Sequence, residues 1–195
     1  MKSNLCALTN EANQLNAVFA EVEKCTSYND LDKKSSLRVR LLAEELVGML
    51  PELLEHTSGC FWIENDGKKY ELHVSVRAAE TGFNTREKLI AVSTSGKNAA
   101  ATGIMGKIRA AAEMMLFPSD DDVLISDFYD IGLESSTSFG HMWSLRHYAD
   151  QVQVNSKAKA QEWDELEKSI VAKLADDVIV GIKGKQVDII VRKEF

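Results

Sequence analysis

Proline and cysteine are both scarce in this chain of 195 residues, and each scarcity excludes a class of protein. Only two prolines occur, so few positions are barred from a helix or strand by the side chain itself. The three cysteines, Cys6, Cys25 and Cys60, are odd in number and form no Cys-x-x-Cys pair. A disulfide framework and a zinc knuckle are therefore not expected, and a reducing cytoplasm is the expected compartment.

Long apolar runs and an excess of positive charge are also missing. No apolar run approaches the roughly 20 residues that a helix needs to cross a bilayer, and residues 1–14 lack the apolar centre of a signal peptide. Thirty acidic side chains against 23 basic ones give a formal net charge of −7. This balance argues against binding to nucleic-acid backbones or to anionic membrane surfaces.

The residues that are present describe an ordinary globular protein. A length of 195 residues, with 45% hydrophobic and 27% charged side chains, is typical of one domain that buries a sizeable core. We expect a single domain over residues 1–195. Composition by itself indicates no function.

An amphipathic helix is predicted near the start of the chain. Apolar residues recur at three- and four-residue steps from Leu8 to Cys25, which is typical of a helix that buries one face. We predict a helix over residues 8–26, with Thr9 or Asn10 as its N-terminal cap.

A second and stronger helical pattern runs over residues 37–54. Ser35 or Ser36 is the expected cap. Gly48 and Pro51 lie inside the pattern, and together they cost a free helix about 4 kcal/mol relative to alanine. We therefore expect this helix to bend or end close to Pro51.

A β-hairpin is predicted next. Residues 60–64 form a short apolar run, and Asn65-Asp66-Gly67 is a turn signal because Gly and Asp tolerate positive φ. From Tyr70 to Ala78 apolar and polar residues alternate strictly. This alternation predicts a strand with one buried and one polar face.

The rest of the chain is predicted to add strands and helices to this hairpin. The patterns indicate a strand at 88–94, a helix of small residues at 98–116, an amphipathic helix at 158–174, and a closing hairpin at 178–182 and 187–191. The expected fold class is α+β. We predict a two-layer sandwich with helices on one face of a mostly antiparallel mixed sheet.

Residues 117–157 are predicted to be an acidic insertion. No Lys or Arg occurs between Arg109 and Arg146, whereas seven Asp and Glu residues do. The aromatic residues of this part of the chain are Phe117, Phe128, Tyr129, Phe139, Trp143 and Tyr148. They are too many for a disordered tail, so we expect the insertion to pack at least partly on the domain.

The helix from Leu37 and the hairpin that passes through Phe61 and Leu72 to Ala78 resemble the first helix and hairpin of the GHKL (Bergerat-fold) ATPase and kinase superfamily. The small anti-sigma-factor serine kinases, which are bacterial regulatory proteins, are the nearest in layout. The resemblance covers a core of residues 36–116 and 158–195. It implies a Bergerat-like sandwich that binds ATP with Mg.

The family's first helix carries Glu-x-x-x-Asn, in which the Glu orients a water or substrate hydroxyl and the Asn holds the magnesium that bridges the phosphates. Glu44 corresponds to that Glu, so the resemblance implies that it is the catalytic base. Gly48 stands where the family has Asn. Because a metal ligand is missing, the resemblance implies weakened or lost catalysis.

The family's Asp-x-Gly-x-Gly motif follows the hairpin, and its Asp accepts the adenine amino group. The corresponding residues here are Glu80, Gly82 and Asn84, so a carboxylate and one glycine are kept. A glycine-rich lid that cradles the phosphates is expected further along the chain. The residues that the resemblance implies for cofactor binding are Glu80, Gly82, Gly96, Lys97, Asn98, Gly103, Gly106 and Lys107.

Each of these residues has a plainer interpretation. Glu44 also suits the solvated side of an amphipathic helix. Gly96-Lys97 and Gly106-Lys107 lack the spacing of a P-loop, so a helix cap and turn is an equal alternative. Gly103 and Gly106 could equally be positions where a helix packs closely on the sheet.

No residue pattern indicates a metal site. His73, His141 and His147 show neither the His-x-x-His nor the His-Glu-x-x-His spacing. The run Asp120 to Asp122 lacks the alternating ligands of a calcium loop. We therefore predict no metal ligand from the sequence.

Two functions are compatible with these patterns. The first is a cytoplasmic ATP-binding regulatory protein that acts as a serine kinase on a small protein partner or has lost that activity. The second is a catalytically inactive module that binds a protein partner, or a second copy of itself, and no nucleotide. In the second case the acidic insertion is the expected interface.

Overall fold

The structure, a computed structural model, is a single sheet covered by helices. It describes residues 1–8, 14–48, 58–77, 133–136, 140–154, 169–183 and 186–195. The elements in chain order are β1 (Cys6–Leu8), α1 (Gln14–Tyr28), α2 (Lys33–Gly48), β2 (Ser58–Asp66), β3 (Lys69–Arg77), β4 (Leu133–Ser136), β5 (Gly140–Ser144), α3 (Leu145–Val154), α4 (Ile170–Leu174), β6 (Asp177–Lys183) and β7 (Gln186–Glu194).

The seven described strands form one sheet in the order β1-β2-β3-β7-β6-β5-β4. Every pairing between these strands is antiparallel. The closing hairpin β6–β7 is added beside β3, so that Leu72 lies opposite Val191 and Val74 opposite Ile189. The expected α+β two-layer sandwich is confirmed.

One face of the sheet is apolar and carries the helices, because successive strand side chains point to opposite faces. Its buried side chains are Phe61, Ile63, Tyr70, Leu72, Val74, Val76, Trp143, Val178, Val180, Val187, Ile189 and Val191. The helices contribute buried residues to the same core cluster, for example Val22, Leu42, Tyr148 and Val171. We call this the inner face, and the opposite one the outer face.

The predicted hairpin is confirmed, with longer strands than expected. Asp66 pairs with Lys69, which leaves Gly67 and Lys68 as a two-residue turn. Gly67 has φ 58°, the left-handed conformation that such a turn needs at its first position. Because this turn fixes the register, each β2 residue has a defined partner on β3.

The first predicted helix begins later than expected. Leu8 lies in β1, where it pairs with Gly59, and the described helix starts at Gln14. Cys6 and Leu8 are buried on either side of exposed Ala7. Three residues are too few to show whether apolar side chains recur with the period of a strand or of a helix. Residues 6–8 form a strand because they pair with β2. The expected caps, Thr9 and Asn10, lie outside the described residues.

The second helix has a different cap from the one expected. Asp32 accepts hydrogen bonds from the backbone of Lys34 at 2.9 Å and of Ser35 at 3.1 Å. The pKa of Asp32 is lowered first by a hydrogen bond from the Ser35 side chain and then by those from the backbone of Ser35 and Lys34. Ser35 is instead a buried residue inside α2. The described helix reaches Gly48, and Pro51 lies beyond the described part of the chain.

The predicted helix 158–174 is not one continuous helix. Ser169 has φ −73° and ψ 127°, and its side chain accepts a hydrogen bond from Ala172, so a short helix starts at Ile170. Ile170 is 48% exposed rather than part of the buried face. The closing hairpin is confirmed as β6 and β7. The predicted elements at 88–94 and 98–116 lie outside the described residues.

Part of the predicted insertion belongs to the sheet and its core. β5 pairs with β6, so that Trp143 lies opposite Val180, and β4 extends the sheet beyond it. Trp143 and Tyr148 are 0% and 1% exposed. The expectation that this acidic segment packs on the domain is confirmed for these two aromatic residues. Within the described ranges, no helix has the length and apolar character needed to cross a membrane.

Candidate functional site

Four strands end together at one end of the sheet, which we call the loop end. The register places Ser58 opposite Arg77, Arg77 opposite Gln186, and Gln186 opposite Lys183. These residues are the first of β2, the last of β3, the first of β7 and the last of β6. The chain therefore leaves the sheet at Arg77 directly before the segment that contains Glu80 and Gly82.

A cavity of about 370 Å³ opens at the loop end. Its lining residues are Ser58, Ser75, Val76, Arg77, Lys183 and Gln186. Gln186 is held in place because its amide donates to Ser75 Oγ and to Asp188 Oδ1, each at 3.0 Å. The cavity wall thus combines hydroxyl groups, one fixed amide and two cations.

The two cations give the cavity a positive character. Arg77 and Lys183 are both exposed, and neither has an ion-pair partner among the residues that the structure describes. These two positive charges contrast with the formal net charge of −7 of the whole chain. Such a site suits an anionic group, and arginine suits a phosphate best because its fork donates two parallel hydrogen bonds.

Glu44 and Gly48 lie on one side of α2, as their four-residue spacing predicts for a continuous helix. Both are exposed. A Cβ atom built on Gly48 would meet no atom within 4 Å, so the position has room for a side chain but offers no ligand atom. The described residues therefore do not fit a magnesium ion held at position 48, as the superfamily pattern would require.

The structure does not describe the residues that the resemblance implies for cofactor binding. Glu80, Gly82, Gly96, Lys97, Asn98, Gly103, Gly106 and Lys107 all lie outside the described residues. Of the expected site residues, only Glu44 is described, and its side chain belongs to the helix layer over the inner face. The polar lining of the loop-end cavity belongs mainly to the outer face, because Ser75 and Arg77 alternate with inner-face Val74 and Val76.

The outer face carries a second group of polar residues that the sequence analysis did not single out. Trp62 stacks on His73 with ring centroids 4.8 Å apart and an interplanar angle of 5°. Trp62 Nε1 donates to Glu64 Oε1 at 2.8 Å. Glu71 lies opposite Glu64 in the register and receives a hydrogen bond from Arg192 Nε at 2.8 Å. The turn signal in the sequence could have predicted this group, because the turn sets which residues of β2 lie opposite those of β3.

Two pKa values in this group are shifted. The pKa of Glu64 is lowered, first by the hydrogen bond from Lys2 and then by that from Trp62. The pKa of His73 is lowered because burial disfavours its charged form, although the carboxylates of Glu64 and Glu71 act in the opposite direction. The imidazole is therefore kept neutral near pH 7.

Comparison with known proteins adds no family assignment. No protein-family model matches the chain, and no curated protein matches it.

Proposed function

We propose that the protein is a cytoplasmic ATP-binding regulatory protein similar to the anti-sigma-factor serine kinases, with little or no phosphoryl transfer. The observation that carries this proposal is the pair of free cations, Arg77 and Lys183, at the loop-end cavity. They lie where the chain enters the segment with Glu80 and Gly82. The sheet thus brings positive charge to the start of the segment that resembles a nucleotide-binding motif.

Nucleotide phosphates match the chemistry of this end of the sheet. Arg77 offers a planar fork and Lys183 a mobile point charge, which are the two cationic groups that proteins use on phosphates. Ser58 and Ser75 add hydroxyl groups to the cavity wall. Since the chain is acidic overall, these two cations would favour an anionic ligand at the loop-end cavity.

Weak or absent catalysis is supported by position 48. Phosphoryl transfer depends on a metal that neutralises the developing charge. Gly48 supplies no ligand, and the exposed carboxylate of Glu44 is one helical turn away on the same helix. A nucleotide whose phosphates lie in the loop-end cavity, mainly on the other face of the sheet, would therefore be held rather than consumed.

Removal of either loop-end cation is expected to weaken ATP binding. We expect Arg77→Ala and Lys183→Ala each to raise the dissociation constant for ATP by about tenfold, since each removes a charged hydrogen-bond donor. Isothermal titration calorimetry on the full chain measures this. Lys69→Ala is the matched control, because Lys69 is an exposed cation at the other end of β3 and should leave affinity unchanged. Equal affinities for all variants would place ATP elsewhere.

Introducing asparagine at position 48 is expected to leave ATP hydrolysis unchanged, because α2 covers the inner face whereas the lining of the loop-end cavity lies mainly on the outer face. Because no atom of the described residues lies within 4 Å of a Cβ atom there, Gly48→Asn fits without displacing any of them. A rise of about tenfold or more in Mg²⁺, as a new metal ligand at the phosphates would produce, would contradict binding at the loop-end cavity and place the nucleotide against α2. Gly48→Ala is the control. It should stabilise the helix by up to about 1 kcal/mol and add no turnover.

The second candidate function is an interaction module that binds no nucleotide, and the glycine at position 48 also favours it. Its expected interface, the acidic insertion, has lost two aromatic residues to the core, because Trp143 and Tyr148 are buried. Those rings are not available to a partner. An unchanged melting temperature in millimolar ATP would favour this function over the first.

A further inference from the structure

We propose that Glu64, Glu71 and His73 form a binding site for a zinc-class divalent cation on the outer face of the sheet. The three residues belong to neighbouring strands, with Glu64 opposite Glu71 and His73 two residues further along β3 on the same face. One potential ligand atom from each residue lies within 4.8 Å of the others. This site does not depend on nucleotide binding.

The two carboxylates face each other across the strand pair, which is unfavourable without a cation between or beside them. Each is paired with one cation: Lys2 Nζ lies 2.9 Å from Glu64 Oε1, and Arg192 Nε lies 2.8 Å from Glu71 Oε1. Both of these contacts use the Oε1 atom. The Oε2 atom of Glu71 is directed at His73, 3.3 Å from Nε2.

His73 provides a second observation that points to this site. The residue is only 9% exposed, and its Nε2 is buried without a hydrogen-bond partner among the described residues. The 3.3 Å approach to Glu71 Oε2 is within ion-pair distance but lacks the geometry of a hydrogen bond. A buried polar atom without a partner costs roughly 1–3 kcal/mol, so an occupant that bonds to it is favoured.

The separation between Nε2 and Oε2 matches a shared metal ion. Two donor atoms that are each about 2.1 Å from a tetrahedral zinc ion are roughly 3.4 Å apart. The observed 3.3 Å is therefore what two ligands of one ion would show. The carboxylate of Glu64 completes a set of three, since one potential ligand atom from each residue lies within 4.8 Å of the others.

The surroundings hold the ligands in place. Trp62 stacks on the imidazole ring of His73 and donates to the Oε1 atom of Glu64, so one side chain positions two ligands. Hydrogen bonds of this kind orient metal ligands in proteins. Arg192 does the same for Glu71.

The ligand set indicates which metal would bind. One imidazole and two carboxylates suit Zn²⁺ and similar transition metals, whereas Ca²⁺ and Mg²⁺ prefer oxygen ligands alone. Three protein ligands leave one coordination position open, as in zinc sites that bind water or an external group.

Titration of the metal-free full chain with Zn²⁺ tests this site. We expect saturable binding of one ion per chain by calorimetry, a higher melting temperature, and a changed ¹⁵N chemical shift at His73 Nε2. Glu71→Gln and Glu64→Gln, which keep the side-chain shape, should each weaken binding by at least about tenfold. Glu194→Gln, an exposed carboxylate on β7, is the control and should bind like the parent.

Three results would overturn the site. The first is that Zn²⁺ shows no saturable binding. The second is that both Gln variants bind Zn²⁺ with unchanged affinity. The third is that Cys60→Ser, rather than the Gln variants, loses affinity, which would assign the ion to a thiolate. Melting curves of the metal-free variants show whether they are folded, and both replaced side chains are only partly buried.

Discussion

Trp143→Ala is expected to lower the free energy of unfolding by about 3–5 kcal/mol. Trp143 is fully buried in β5, lies opposite Val180, and has its ring 6.1 Å from that of Tyr148. Removing the indole leaves a large cavity between the sheet and α3. Because a domain is stable by only about 5–15 kcal/mol in total, this one change removes a large share.

Urea unfolding followed by far-UV circular dichroism measures this loss of stability. Fluorescence is not used because removing a tryptophan itself changes the signal. Trp143→Phe is the matched control. The indole Nε1 has no hydrogen-bond partner among the described residues, so phenylalanine sacrifices volume and no polar contact, and a clearly smaller loss is expected. A cost below about 1 kcal/mol for the alanine variant would mean that β5 is not part of the core.

Gly59→Ala is expected to destabilise the protein by about 1–3 kcal/mol, although it adds a single methyl group. A Cβ atom at position 59 would lie 2.4 Å from Val76 Cγ1 and 2.6 Å from the backbone oxygen of Ser75. The backbone atom cannot rotate away, so β2 and β3 must separate locally. Gly59 also pairs with Leu8 on its other side, which limits movement in that direction.

Thermal unfolding of Gly59→Ala beside Gly48→Ala checks this result. The same substitution at position 48 meets no atom of the described residues and should be neutral or stabilising, so only Gly59→Ala is expected to lower the melting temperature. Equal melting temperatures for the two variants would contradict the close approach of β2 and β3 at Gly59.

The hairpin and the sheet faces were within reach of the sequence. Strict alternation along β3 gave the buried face, and the turn at Gly67 fixed which β2 and β3 residues are partners. That turn also places Glu64 opposite Glu71. The histidine spacings that mark common metal sites do not include these two glutamates, so they gave no sign of this group. Sequence patterns were therefore sufficient to predict structure that depends on contacts between residues close together in the chain.

Contacts between distant segments could not be predicted. β1 is too short to show a period, and only its pairing with β2 makes Leu8 a strand residue. Arg77 and Lys183 line one cavity, on either side of Gln186, because β7 joins β3 to β6, and this depends on the topology of the whole sheet. Trp143 was expected in an insertion but forms part of the core for the same reason.

The most direct test of the proposed function is a calorimetric titration of the wild-type chain with ATP, with and without Mg²⁺. We predict saturable binding in the micromolar to millimolar range in both conditions, because Gly48 provides no metal ligand, and a rise in melting temperature with ATP concentration. Absence of both heat and a melting shift at millimolar ATP would contradict nucleotide binding and leave the interaction module as the function.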